Sequence, residues 1–218
     1  MKNLIITFAL MLGFAVSAQA QTYTVDFIGD DPNGADPYNE RGVEDGTILE
    51  FDGVYVRFSA TSDVGDGFAY FDSNTAGLGV CGNVDLVDQC VPTSDDNLTA
   101  DETLTLSFFD AQGKALYAGI SSLVFRDSNH NIVTNEAANL LFGMDADPML
   151  STSMTGFGWA GRGYDFNFGF DNQQYYISSM LVSEVPEPAT WLMMIIGFGI
   201  VSASTRRSRR SNSIAHTC

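Results

Sequence analysis

Between residues 21 and 185 the apolar positions repeat every second residue, and that period restricts the fold more than any other feature of the chain. Tyr164, Phe166, Phe168 and Phe170 alternate with Asp165, Asn167, Gly169 and Asp171. Tyr23, Val25 and Phe27 alternate with Thr24, Asp26 and Ile28. Val54, Val56 and Phe58 alternate with Tyr55, Arg57 and Ser59. Phe68, Tyr70 and Asp72 interleave with Ala69, Phe71 and Ser73, and Leu104, Leu106 and Phe108 with Thr103, Thr105 and Ser107. Side chains of a strand point to opposite faces in turn, so each run reads as a strand with one buried face. Leu116–Phe125 and Tyr175–Val182 are further strand candidates. Gly, Asp and Asn clusters separate the runs. Asp30–Tyr38 reads as a loop, and Asp110–Gly113 as a hairpin turn between Leu104–Phe109 and Ala115–Phe125. Asn135–Phe142 is the one helical candidate. Strands at this spacing imply an all-β fold, an antiparallel β-sandwich of jelly-roll type.

The two ends of the chain differ from this middle. Met1–Ala20 has Lys2, then an apolar stretch from Leu4 to Val16, then the small-x-small triplet Ala18-Gln19-Ala20. This is the pattern of a secretory signal cleaved between Ala20 and Gln21. At the other end, Pro186 and Pro188 exclude helix, and an uncharged run from Ala189 to Ala203 follows. At 1.5 Å per residue that run spans about 22 Å, short of about 30 Å of hydrocarbon. Snorkelling side chains extend it, and it reads as a single C-terminal transmembrane helix. Trp191 suits the membrane interface, and Arg206, Arg207, Arg209 and Arg210 fix the far end in the cytoplasm. The expected layout is a signal peptide (1–20), a β-sandwich ectodomain (21–184), a C-terminal signal (185–210) and a cytoplasmic tail (211–218).

All 27 acidic residues lie between Asp26 and Glu187, where only Arg41, Arg57, Lys114, Arg126 and Arg162 oppose them, a balance of −22. Such a surface repels nucleic acid and anionic lipid and favours cations. Of three cysteines, Cys81 and Cys90 share the exported stretch and are expected to form a disulfide; Cys218 lies beyond the arginines. Asp127, Asn129 and Asn131 match the start of a calcium loop, but Ile132 and Ala138 stand where an EF-hand needs Gly and Glu. Those three and Asp95 and Asp96 are the candidate metal ligands. No cofactor is implied beyond a calcium ion at such oxygen-rich loops. His130, alone in the exported stretch, sits in turn composition, so neither a hydrolytic triad nor a zinc enzyme is expected. Tyr38, Trp159, Tyr164 and Tyr175 are candidates for a sugar-facing surface.

The stretch Pro186-Glu187-Pro188, Trp191, Met193, Met194, Gly197, Phe198, Gly199 and the arginine cluster resembles the PEP-CTERM sorting signal in its tryptophan-containing variant. The resemblance implies an exosortase, a membrane transpeptidase, as processing partner. It also implies export through the inner membrane, anchorage with the ectodomain in the periplasm, and later residence at the cell surface or outside the cell. Gly77–Val80, Cys90, Asp95-Asp96-Asn97, Glu102–Leu106 and Leu123–Asp127 with His130 are similar to an ectodomain recurring among such proteins. The expectation is a non-enzymatic surface protein associated with exopolysaccharide or biofilm. A calcium-assisted carbohydrate-binding module is the alternative reading, and a glycoside hydrolase a lesser one.

Overall fold

The computed structural model describes residues 20–28, 40–72, 76–157, 161–185, 195 and 197–199. Gln21–Val185 forms a compact unit of its own; Met1–Ala20 and Pro186–Cys218 make up the other unit, of which Ile195 and Gly197–Gly199 are described as helical. The membrane-spanning expectation for Ala189–Ala203 falls largely outside the described residues. Among those described, no helix is long and apolar enough to cross a membrane.

The compact unit is all-β. Its strands are β1 (Thr22–Asp26), β2 (Arg41–Val43), β3 (Ile48–Phe51), β4 (Val54–Ser62), β5 (Gly65–Asp72), β6 (Gly77–Cys81) and β7 (Thr103–Phe109). They continue with β8 (Ala118–Asp127), β9 (Asn139–Met144), β10 (Leu150–Ser153), β11 (Arg162–Gly163), β12 (Asp165–Phe170) and β13 (Tyr175–Glu184). The hydrogen-bonded order is β10-β9-β12-β7-β4-β5-β6-β13-β8-β11, with β1 on β13, β2 on β5 and β3 on β4. The pairings are antiparallel throughout. Among the described residues, a short rung set, Ala60–Ser62 against Gly65–Gly67, joins the β4 arm to the β5 arm.

Both arms feed one core. Val54, Val56 and Phe58 of β4, Leu104, Leu106 and Phe108 of β7, and Phe166 and Phe168 of β12 are buried, as are Ile120 of β8 and Ile177, Met180 and Val182 of β13. Phenylalanine edges meet faces within it: Phe58 lies 5.4 Å from Phe71 and 6.2 Å from Phe27. Such T-shaped pairs suit the ring quadrupole. The alternations predicted for β1 and β4 are those observed; in β7 buried Ser107 interrupts the pattern, and in β12 Phe166 and Phe168 are buried but Gly169 is buried and Phe170 only half so.

Three expectations fail. The Asn135–Phe142 helix is instead a turn followed by β9. Asn135 Oδ1 accepts the Ala137 amide, and Leu140 and Phe142 alternate into the core beside β12. The pairing with β12 overrides a weak local helix propensity. The Asp110–Gly113 turn forms, with Asp110 Oδ1 accepting two amides, but the flanking strands share one rung, Phe109 with Ala115. Beyond it β8 leaves for β13 and β7 stays with β4 and β12, so the segment is a corner between the arms. β5 was expected to have one wet face, yet Ala69, Tyr70, Phe71 and Asp72 are all buried. A loop covers its outer side, and the candidate site lies there.

Candidate functional site

The cover on β5 is the segment closed by Cys81 and Cys90, whose sulfurs are bonded with their Cα atoms 5.9 Å apart. With Tyr70 they form a second small core, against which Phe68 and Val84 pack. The loop is internally tied: Asp85 Oδ1 accepts the amides of Val87 at 2.8 Å and Gln89 at 3.0 Å. It also docks on β2, where Gly42 N donates to Asp88 O at 2.8 Å. A Cβ at Gly42 would lie 2.7 Å from Val84 Cγ1, so glycine permits this approach. Gln89 reaches back through Nε2 to Glu40 O, and the Tyr70 hydroxyl donates to Gln89 Oε1 at 3.4 Å.

A second rigid segment faces this loop. Asp127 Oδ1 accepts the amides of Asn129 and Asn131, each at 2.9 Å, an Asx-type turn. His130 sits in it at φ 65° with its carbonyl held by Arg126 Nη1 at 2.7 Å. That geometry aims the imidazole back toward the end of β5. Nε2 lies 3.3 Å from Oδ2 of Asp72, and the ring stands edge-on to Tyr176, 5.5 Å between centroids. The Tyr176 hydroxyl in turn donates to Asp96 Oδ1 at 2.6 Å.

The result is a cleft of about 220 Å³ lined by Glu40, Tyr70, Asp72, Gln89, Thr93, Asp96 and His130. Burial pushes the Asp72 carboxyl up from its ordinary range; His130 opposes this, while Asp96 and Glu40 reinforce it. Burial and the bond to Asp96 likewise raise the Tyr176 phenol, which stays neutral and donates. Perturbed groups converging on a cleft are a signature of functional sites. A neighbouring cleft of about 330 Å³ is lined by Asp63, Asp95 and Glu102 among others. There Glu102 is pushed up to about 7, chiefly by burial, although its Oε2 accepts from the amide and hydroxyl of Thr99.

The sequence candidates are distributed as follows. Cys81 and Cys90 form the disulfide. Asp96 lines the first cleft and Asp95 the second, where its Oδ2 accepts from Gly82 N at 3.3 Å. Asp127 spends Oδ1 on its own turn, and neither it nor Asn129 nor Asn131 lines the cleft that His130 enters. Among the described residues, the one grouping of three metal-capable side chains is Cys81, Cys90 and Asp95, and both of its sulfurs are in the disulfide. Tyr175 is wholly buried rather than sugar-facing, and Tyr164 packs its ring on Tyr117 at 5.2 Å. Tyr38, Trp159, Pro186, Glu187, Pro188, Trp191, Arg206, Arg207, Arg209 and Arg210 lie outside the described residues. Of the expected cleavage pair, Ala20 is exposed and Gln21 O accepts from Glu184 N at 2.8 Å. Asp72, Glu40, Tyr70 and Tyr176 were not foreseen as site residues. The available signal was an aspartate ending the otherwise apolar run Phe68-Ala69-Tyr70-Phe71.

Residues 184–210 match the family model of the PEP-CTERM protein-sorting motif. No curated protein and no solved structure matches the chain. The chain thus carries a PEP-CTERM sorting motif, which supports an extracellular protein targeted to an exosortase for processing, with membrane-anchored sorting before release.

Proposed function

We propose that this is a non-enzymatic extracellular-matrix protein: exported, held by its C-terminal helix, processed by an exosortase and then associated with exopolysaccharide. The sorting motif at 184–210 carries the reading, because it begins where β13 ends, so the signal follows directly on the folded unit. The parts are a signal peptide (1–20), an ectodomain (21–184), the sorting signal (185–210) and a tail (211–218). The ectodomain waits in the periplasm until processing frees it to the cell surface or beyond. Its two arms, joined through few rungs and sharing one core, are read as the layers of a β-sandwich.

Replacing Pro186, Glu187 and Pro188 by alanine in the native host tests the sorting step. The expected result is a longer, membrane-retained form on blots of fractionated cells. Unchanged size and location would overturn the reading.

A further inference from the structure

We propose that the cleft between the end of β5, the disulfide loop and the Asp127–Asn131 turn binds a free amine of a hexosamine unit within a glycan chain. The proposal takes an exposed glycan from the extracellular reading above, but its chemistry stands on the cleft alone. Three carboxylates, Glu40, Asp72 and Asp96, face one imidazole there. That balance disfavours anionic sugars and favours an ammonium, which brings three donors and no acceptor.

Asp72 closes the cleft at the end of β5. Its side chain is 8% exposed, yet it lines the cleft, and among the described residues its carboxylate is engaged by His130 alone, through Oδ2. A buried carboxylate with so little hydrogen bonding is costly unless a donor completes it. Asp96 is oriented by Tyr176, which uses Oδ1. An ammonium seated between Asp72 and Asp96 makes charge-assisted bonds to both. The rest of the lining suits a sugar better than a lysine side chain. The Tyr70 hydroxyl, the Gln89 amide and the Thr93 hydroxyl offer donors and acceptors to ring hydroxyls, and about 220 Å³ is room for little more than one pyranose.

The walls are preorganised, which lowers the cost of binding. The disulfide fixes one wall, and the Asp127 turn fixes the other.

The test uses purified Gln21–Val185, the unit with its own core. It is titrated calorimetrically in mildly acidic buffer with a glucosamine tetramer, its N-acetylated counterpart and a lysine trimer. Only the glucosamine tetramer is expected to bind. Asp72→Asn and Asp96→Asn should each weaken it about tenfold, equivalent to about 1.4 kcal/mol. Asp52→Asn, in the β3–β4 turn and not among the residues lining the cleft, should leave it unchanged. Melting curves confirm that each variant is folded, and Asp96→Asn alone decides the matter if Asp72→Asn is not. Absence of binding, equal binding of the acetylated tetramer or the lysine trimer, an unaffected Asp96→Asn, or an equal loss in Asp52→Asn would each overturn the assignment. A failed processing experiment would leave this result untouched.

Discussion

The hydroxyl of Tyr175 donates to the carbonyl oxygen of Gly169 at 3.1 Å inside the core, tying the start of β13 to the end of β12. Because Tyr175 is fully buried, no water replaces that bond if the hydroxyl is removed. Tyr175→Phe keeps the ring and its T-shaped contact with Phe125. The expected loss is about 1–1.5 kcal/mol, read as a fall in Tm of about 2–5 °C. A neutral result would show that the hydroxyl contributes nothing to stability.

The Cys81–Cys90 bond closes a short loop that forms the outer cover of β5. In the chain-entropy model, cross-linking about ten residues contributes about 2.5–3 kcal/mol. The double variant Cys81→Ser, Cys90→Ser should lose that much in urea unfolding. Its loss should be local first, seen as faster amide exchange at Gly42 and Gln89, which dock the loop.

Glu102 gives the domain a pH dependence of calculable sign. Its folded carboxyl titrates at about 7 against an ordinary 4.5. The folded state therefore favours the protonated form. This group's contribution is full below pH 4.5 and declines as pH rises to about 7. The decline is on the order of 2–3 kcal/mol. Glu102→Gln, whose amide oxygen still accepts from Thr99, should flatten that part of the stability profile and stabilise the domain at pH 8. Parallel profiles for the two proteins would contradict this.

Two glycines should respond very differently to alanine. At Gly79 a Cβ would run into the carbonyl oxygen of Asp96 and lie 2.8 Å from Asn97 Cα, so backbone would have to move. Gly113, at φ 75°, has nothing within 4 Å of an added Cβ. Gly113→Ala should cost about 1 kcal/mol of backbone strain. Gly79→Ala should cost about 3 kcal/mol or more and displace Asp96 from Tyr176. Chemical denaturation of both variants checks the contrast.

Strands that bury one face were legible because alternation reports a single dry side. Phe166 and Phe168 against Asp165 and Asn167 are the clearest case. The second dry side of β5 comes from the disulfide loop that follows β6, and the strand's own period does not encode what lies over it. β9 was misjudged for a related reason: Leu140 and Phe142 take their geometry from β12 rather than from their neighbours. At the cleft, Asp96 was legible as an acidic turn residue, and His130 as the lone histidine of the exported stretch. Their meeting with Asp72 was not, since it depends on a disulfide loop, a positive-φ turn and β13 all arriving at one place.

β1 and β13 run antiparallel from Thr22 against Ser183, and Glu184 N still donates to Gln21 O. The first residues of the domain and its last therefore emerge side by side. β13 is also paired with β8 and β6, so it is held along both of its edges. A load applied through the C-terminal attachment reaches the domain at a strand held on both edges. A pull across both ends would instead unzip β1 from β13 one rung at a time. Under flow or traction, a domain tethered only through Glu184 behaves as a bead hung from its own spine, with the amino terminus carrying no tension.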